Sequence, residues 1–215
     1  MKVTILCDQL DSFFLNYIDR VIQLVLEEGH EITFVNDVSN LIKGDILFLA
    51  AAKSILNDDQ ISLNKYNVVI HPSKLPHYRG SGVLAWSILD GANSVWVSSF
   101  IATKVIDGGP ILLQTEKTLN GDELNNELRS IQAEMYIFHI LDFLRNPREK
   151  GIPTTGKSSK IYRRRTPKDS ELDIDLSIAE QFNILRVVDN ERYPAYFEFQ
   201  GNKYVIKITK EISME

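Results

Sequence analysis

Two side chains in this 215-residue chain stand where their types could do acid–base work. His71 ends the apolar run Asn67–His71, and the loop after it, "HPSKLPHYRGSG", carries Pro72, Pro76, Gly80 and Gly82. Asp107 lies in "VIDGGPI", directly before Gly108 and Gly109. An imidazole titrates near neutrality, so it can give or take a proton under ordinary conditions. The plainer alternatives are a turn histidine satisfied by backbone groups and a turn aspartate ahead of two glycines. Pro72 and Pro76 fix the loop backbone, while Gly80 and Gly82 permit close approach or unusual dihedrals. These four read as scaffold.

The elements that position His71 follow from hydrophobic pattern. "KVTILC", "ITFV", "DILFLA" and "NVVIH" are short apolar runs of the kind buried in a parallel sheet. Phe14, Ile18, Val21, Ile22 and Val25 recur at helical spacing between the first two, and the helix closes at Gly29. "SVWVSSFIA" and "GPILLQTEKTL" add two further strands. A long helix follows, with Leu124, Leu128, Ile131, Met135, Phe138 and Leu141 on its core face and Asn120–Gly121–Asp122 as its start signal. Strands separated by helix-length segments predict an open α/β sheet, Rossmann-like, whose ligands bind beyond the carboxyl ends of the strands. His71 stands at such an end. Trp86, on the helix after the loop, reads as core.

From about Asn146 to Arg165 the composition turns to Pro, Gly, Thr, Ser, Lys and Arg, which predicts a connecting segment. A short helix over Ser177–Asp189 with a Ser-x-x-Glu cap comes next, then a β-hairpin about Gln200–Gly201–Asn202–Lys203. The expected organisation is a main domain over 1–150 and a linker with a small C-terminal extension over 151–215.

The blocks "H-P-S-x-L-P-x-Y-R-G" and "V-I-D-G-G-P-I" together resemble the folate-dependent formyltransferase family. Its members include methionyl-tRNA formyltransferase, glycinamide ribonucleotide transformylase and nucleotide-sugar N-formyltransferases. The likeness runs from about Asp45 to Arg145 and extends more weakly into "RRRTPKDSELDI". It implies a Rossmann-like formyltransferase domain with a helix-plus-hairpin extension, using 10-formyltetrahydrofolate as formyl donor. In that chemistry an amine attacks the formyl carbon, so a site must stabilise a developing oxyanion and move a proton off nitrogen. By resemblance His71 is the catalytic imidazole and Asp107 the carboxylate that orients it and favours its charged form. Lys53, Ser54, Ile55 and Leu56, with Asp107, would line the donor pocket. Ser73, Tyr78, Arg79 and Gly80 would border the acceptor.

Arg163–Arg164–Arg165 is the densest positive cluster, and Arg163 and Arg165 could clamp the diphosphate of a nucleotide sugar or form a solvated basic face. One departure stands out. The family carries Asn two residues before the histidine, and this chain has Val69 there. Asn67 lies two residues too deep on the same face. A loop N–H, Ser73 or Asn93 could supply the missing donor; with none, the chain would be a catalytically impaired folate- or nucleotide-binding protein.

Composition narrows the partners. The net charge is −5, which argues against tRNA or DNA, because their affinity comes from neutralised phosphates. The single cysteine, Cys7, rules out an internal disulfide and fits packing in a reducing compartment. Asp8 and Asp11 interrupt any signal-peptide core, and no apolar run approaches the about 18 residues that span a bilayer. Neither Cys pairs nor His-x-x-x-His spacing suggests a metal site. With "CDQLDSFFLNY" after the first strand and about sixty residues beyond the linker, the chain is expected to be a cytoplasmic formyltransferase of small molecules. A UDP-linked 4-amino-4,6-dideoxy hexose destined for surface glycans is the expected acceptor, a methionyl-tRNA formyltransferase-like enzyme the alternative, and a homodimer is implied by resemblance.

Overall fold

Alternation within the apolar runs decides how the strands are buried. In the computed structural model, which describes residues 1–154 and 161–211, β1 (Lys2–Leu6), β2 (Glu31–Val35), β3 (Gly44–Ala50) and β4 (Asn64–His71) run parallel. Val3, Ile5, Ile46, Phe48, Ala50, Val68 and Ile70 point to one face, against α1 (Ile18–Glu27) and a long helix later in the chain. Leu6, Leu47 and Leu49 point to the other face, where they meet Leu56 and Ala102. Covered on both sides, these strands read as continuous apolar runs. Phe48 is fully buried edge-on to Phe143 at 5.8 Å; truncating a side chain so placed costs about 3–5 kcal/mol.

The chain steps outward from β1 to β2 and then returns past β1 to β3, so the crossovers diverge at the carboxyl ends of β1 and β3. A crevice opens there in sheets of this type. α2 (Asp58–Ser62) precedes β4, and after β4 come β5 (Arg79–Gly80), α3 (Val83–Leu89), β6 (Ser94–Ile101) and β7 (Ile111–Thr118). The last two pair antiparallel and complete the sheet in the order β2-β1-β3-β4-β6-β7. The expected α/β architecture is therefore present, with an antiparallel edge.

The long helix, α4 (Asn125–Arg145), differs from expectation in two respects. It starts past the Asn120–Gly121–Asp122 signal, because the Glu123 carboxylate folds back to accept the N–H groups of Asn120 and Gly121 at 2.6 and 3.1 Å. Leu124 N–H then donates to Glu127 Oε2 at 2.7 Å. Phe138, placed on the core stripe by spacing, is 52% exposed, while His139 beside it is buried. The reason is that α4 is covered on two sides. Tyr136, Ile137, Ile140 and Phe143 pack on the sheet, and Leu128, Ile131 and Met135 on α3.

The connecting segment returns to the main sheet's edge. Residues 155–160 of it lie outside the described residues; Ile152 bridges Ile111, and β8 (Ile161–Tyr162) pairs with β5. The predicted helix after it is shorter, α5 (Phe182–Val187), since the reciprocal Ser177–Glu180 bonds close a preceding turn. The hairpin forms as expected between β9 (Ala195–Phe199) and β10 (Asn202–Ile206). Gln200 and Gly201 both take positive φ, which a two-residue connection of this twist requires. Leu172, Leu185, Val188 and Ala195 give this extension its own small core. The buried Arg186 ties it to the start of α4 through the Glu123 carboxylate at 3.0 Å. Among the described residues, no helix is long and apolar enough to cross a membrane.

Candidate active site

β4 delivers His71 to the sheet's carboxyl edge, buried, with Val69 before it on the same face. The Nδ1 atom of His71 lies 3.6 Å from Asp107 Oδ1, and Nε2 lies 3.2 Å from the Tyr78 carbonyl oxygen. Asp107 Oδ2 accepts the N–H of Gly80 at 3.1 Å. Residues 78–80 thus hold the imidazole with a carbonyl and the carboxylate with an amide. The two side chains that motif reading singled out are brought together.

Local sequence explains how. Asp107 has φ +49, a left-handed conformation that aspartate tolerates better than most side chains. The turn it starts returns along β6 so closely that a Cβ on Gly109 would lie 1.8 Å from the Ile101 carbonyl oxygen. Only glycine fits there. On the His71 side, the loop contains a cis bond at Leu75–Pro76 and a stack of Tyr78 on Tyr162 (5.5 Å) and Tyr162 on Trp86 (6.0 Å). Tyr162 hydroxyl donates to Asp90, and burial, with that carboxylate beside it, holds the phenol well above its ordinary range. Trp86 is half-buried in this stack and donates from Nε1 to the Arg163 carbonyl at 2.8 Å.

His71 and Asp107 open onto a cavity of about 550 Å³, within the range of small-molecule sites. Lys53, Ser54, Ile55 and Leu56 all line it, as do Gly80 and Arg165. The loop carrying Lys53 and Ser54 is held by a residue that sequence reading missed. The buried Asp8 carboxylate, at the end of β1, accepts Lys53 N–H at 2.7 Å, Ser54 N–H at 3.1 Å and the Ser54 hydroxyl.

Other expected residues lie elsewhere. Ser73 is buried off the cavity lining, with its carbonyl accepting from Ser98 Oγ. Tyr78 faces Tyr162, and Arg79 is not among the lining residues. Arg163 is bound to the Asp169 carboxylate and covers Trp86 at 5.0 Å, outside the lining. That pairing holds Asp169 well below the usual carboxylate range. Arg165 reaches the cavity, but its guanidinium donates to the carbonyls of Val187 and Asp169 at 2.8 and 2.9 Å. Of the substitutes for the absent asparagine, Asn93 is bound to the Leu119 carbonyl at 3.0 Å, and Asn67 donates to Ile61 at 2.9 Å. Val69 itself lines the cavity.

A second missed group comes from α4. Asn125, Arg129, Gln132 and Tyr136 fall on one helix face and line the cavity wall. Gln132 is buried and donates to the Tyr136 hydroxyl at 3.0 Å; burial pushes that phenol up. The signal was present in the sequence as polar residues at helical spacing, which ordinarily mark a solvated face.

Known proteins resemble this chain in sequence and in fold. A family model described as formyl transferase matches residues 31–137. Among curated relatives, the bifunctional polymyxin resistance protein ArnA of Wigglesworthia glossinidia brevipalpis is 28% identical, over 83% of this chain and 28% of its own. Methionyl-tRNA formyltransferase of Carboxydothermus hydrogenoformans is 28% identical, over 79% of this chain and 55% of its own. The chain spans between 28% and 60% of the length of the first curated relatives it matches. Among solved structures, methionyl-tRNA formyltransferase from Clostridium thermocellum superposes with TM-score 0.79 at 16% identity, covering 100% of this chain and 95% of its own. A sugar N-formyltransferase from Shewanella sp. gives 0.69 at 17%, covering 99% and 98%. HypX from Aquifex aeolicus, solved with tetrahydrofolic acid, gives 0.71 at 15%, covering 97% and 37%. At these identities the structural likeness is one of fold.

Proposed function

The chain belongs to the formyl transferase family, and we propose that it transfers a formyl group from 10-formyltetrahydrofolate to the amine of a nucleotide-linked amino-dideoxy sugar. The observation that carries this reading is the facing of His71 and Asp107 across 3.6 Å at the edge of a cavity of small-molecule size. Its walls suit the donor: Leu56, Val69, Phe100 and Ala102 are apolar lining for a planar heterocycle, and Lys53 and Ser54 border it.

In this reading the donor supplies an activated formyl carbonyl, and the residues of the chain do the rest. His71 takes the proton that the attacking amine must lose or steadies charge on the formyl oxygen, both within reach of an imidazole at the sheet edge. Asp107 orients the ring from Nδ1 and stabilises it when protonated. Nε2 lies 3.2 Å from the Tyr78 carbonyl, so in this reading it exchanges that contact for substrate when the proton moves. With valine at position 69, the remaining oxyanion donor in this reading is a backbone N–H of the cavity-lining loops.

A second reading has a specific observation behind it, because methionyl-tRNA formyltransferases are among the relatives. The net charge of −5 favours a small acceptor over tRNA. The deciding experiment supplies 10-formyltetrahydrofolate with a panel of nucleotide-linked amino sugars, with methionyl-tRNA, or with no acceptor, and follows tetrahydrofolate release. Release that needs an amino sugar is expected. Release only with methionyl-tRNA would establish the second reading, and binding without acceptor-dependent release would mean an inactive relative.

A further inference from the structure

Four arginines line the cavity on the side closed by the C-terminal extension: Arg129, Arg164, Arg165 and Arg192. Two of them have their charge paired, and Arg165, like Arg129 without a carboxylate among the described residues, has both terminal nitrogens on neutral acceptors. Arg164 and Arg192 share the Asp11 carboxylate at 2.9 and 3.2 Å, and Arg165 lies on backbone carbonyls. Arg129 differs. Its Nη1 donates to the neutral Gln132 amide oxygen at 2.9 Å, and its plane lies 4.9 Å from the Phe13 ring. Among the described residues it forms no ion pair with a carboxylate.

A guanidinium partly withdrawn from water without a counter-ion is in an unfavourable state that an entering anion relieves. Burial pushes Arg129 down to about 10, and the like charges of Arg192 and Arg165 act in the same direction. Its planar fork suits phosphate oxygens, and Phe13 behind it restricts its motion. Its charged and polar neighbours are Tyr136 on the same helix and Arg192, Asp189 and Arg165 of the extension. The Lys53–Leu56 wall is held separately, by Asp8.

We infer that Arg129 is the anchor for the phosphate groups of the acceptor, binding a diphosphate within the cavity. The inference rests on the nucleotide-sugar reading of the site. It also transfers to α4 the anchoring role that charge density alone gave to Arg163, whose guanidinium is spent on Asp169.

Inorganic pyrophosphate is the probe, titrated calorimetrically into the intact chain and into the Arg129→Gln and Arg129→Lys variants. Losing a charge-assisted fork of this kind weakens binding by about 10- to 100-fold. Arg129→Gln is therefore expected to lose pyrophosphate affinity by that factor, with Arg129→Lys intermediate. The KM for the nucleotide amino sugar should rise similarly, with KM for 10-formyltetrahydrofolate unchanged. If Arg129→Gln does not fold, Arg129→Lys alone decides, since it keeps the charge and loses the fork. Unchanged pyrophosphate binding in the folded variants would overturn the inference. So would a rise confined to the folate KM, which would place Arg129 on the donor's carboxylates. Pyrophosphate binding needs no turnover. Arg129-dependent binding in a protein that formylates no amino sugar would therefore refute the function and leave the anchor standing.

Discussion

A Cβ placed on Gly80 would lie 2.3 Å from the carbonyl oxygen of Tyr162, so the loop after His71 and the strand opening the C-terminal extension touch backbone to backbone. The contact matters for chemistry because Gly80 donates to Asp107 and its neighbour Tyr78 holds His71. The extension therefore braces the pair from behind.

Gly80→Ala adds a clash to an already left-handed φ of +103, and strain of this kind costs about 1–3 kcal/mol. The expected result is a lowered melting temperature together with a fall in kcat of about tenfold or more, as Asp107 loses its restraint. Gly91→Ala is the control. It has a similar φ of +92 but open space around it, so it should lower the melting temperature slightly and leave kcat unchanged.

Asp8→Asn tests the brace on the Lys53–Leu56 wall. The carboxylate holds the backbone of Lys53 and Ser54, and an amide replaces one of its two acceptor oxygens with a donor. One charged hydrogen bond is worth about 1.5–3 kcal/mol. The KM for 10-formyltetrahydrofolate should rise by about tenfold while kcat at saturation changes little. A kcat loss with unchanged folate KM would contradict the assignment of this wall to the donor.

His139 gives a pH prediction. It is buried, bound to Thr115 Oγ1 at 2.8 Å, and desolvation holds it at about 4 against an ordinary 6.5. The unfolded chain then binds a proton that the folded chain refuses, so its contribution is complete above about pH 6.5 and is lost as pH falls toward 4. The loss amounts to about 3 kcal/mol. Urea midpoints measured from pH 7 to pH 4.5 should fall steeply in the wild type and less steeply in His139→Leu.

Much of the sheet was legible because its strands are covered on both faces, which leaves uninterrupted apolar runs ending in His71. The Asp107–Gly108–Gly109 turn was legible too, since a close backbone approach leaves glycine as its trace. The wall built by α4 was not. Arg129 and Gln132 are polar residues on a helix whose apolar stripe looked sufficient, and periodicity does not distinguish a face turned to solvent from one turned to a cavity. Asp8 was unreadable for a related reason: its partners are backbone N–H groups from a loop far along the chain. Arg163 misled, because charge density in sequence does not reveal that Asp169 neutralises it.

The role proposed for His71 is to move a proton, or to stabilise oxygen, during transfer of the formyl group. The most direct measurement is single-turnover formyl transfer by His71→Asn, with folate binding and the melting temperature recorded on the same protein. A general acid–base group contributes about 10²–10⁴ in rate, so a loss of about a thousandfold is predicted with folate affinity and fold retained. A folded His71→Asn protein that transfers formyl at the wild-type rate would contradict it.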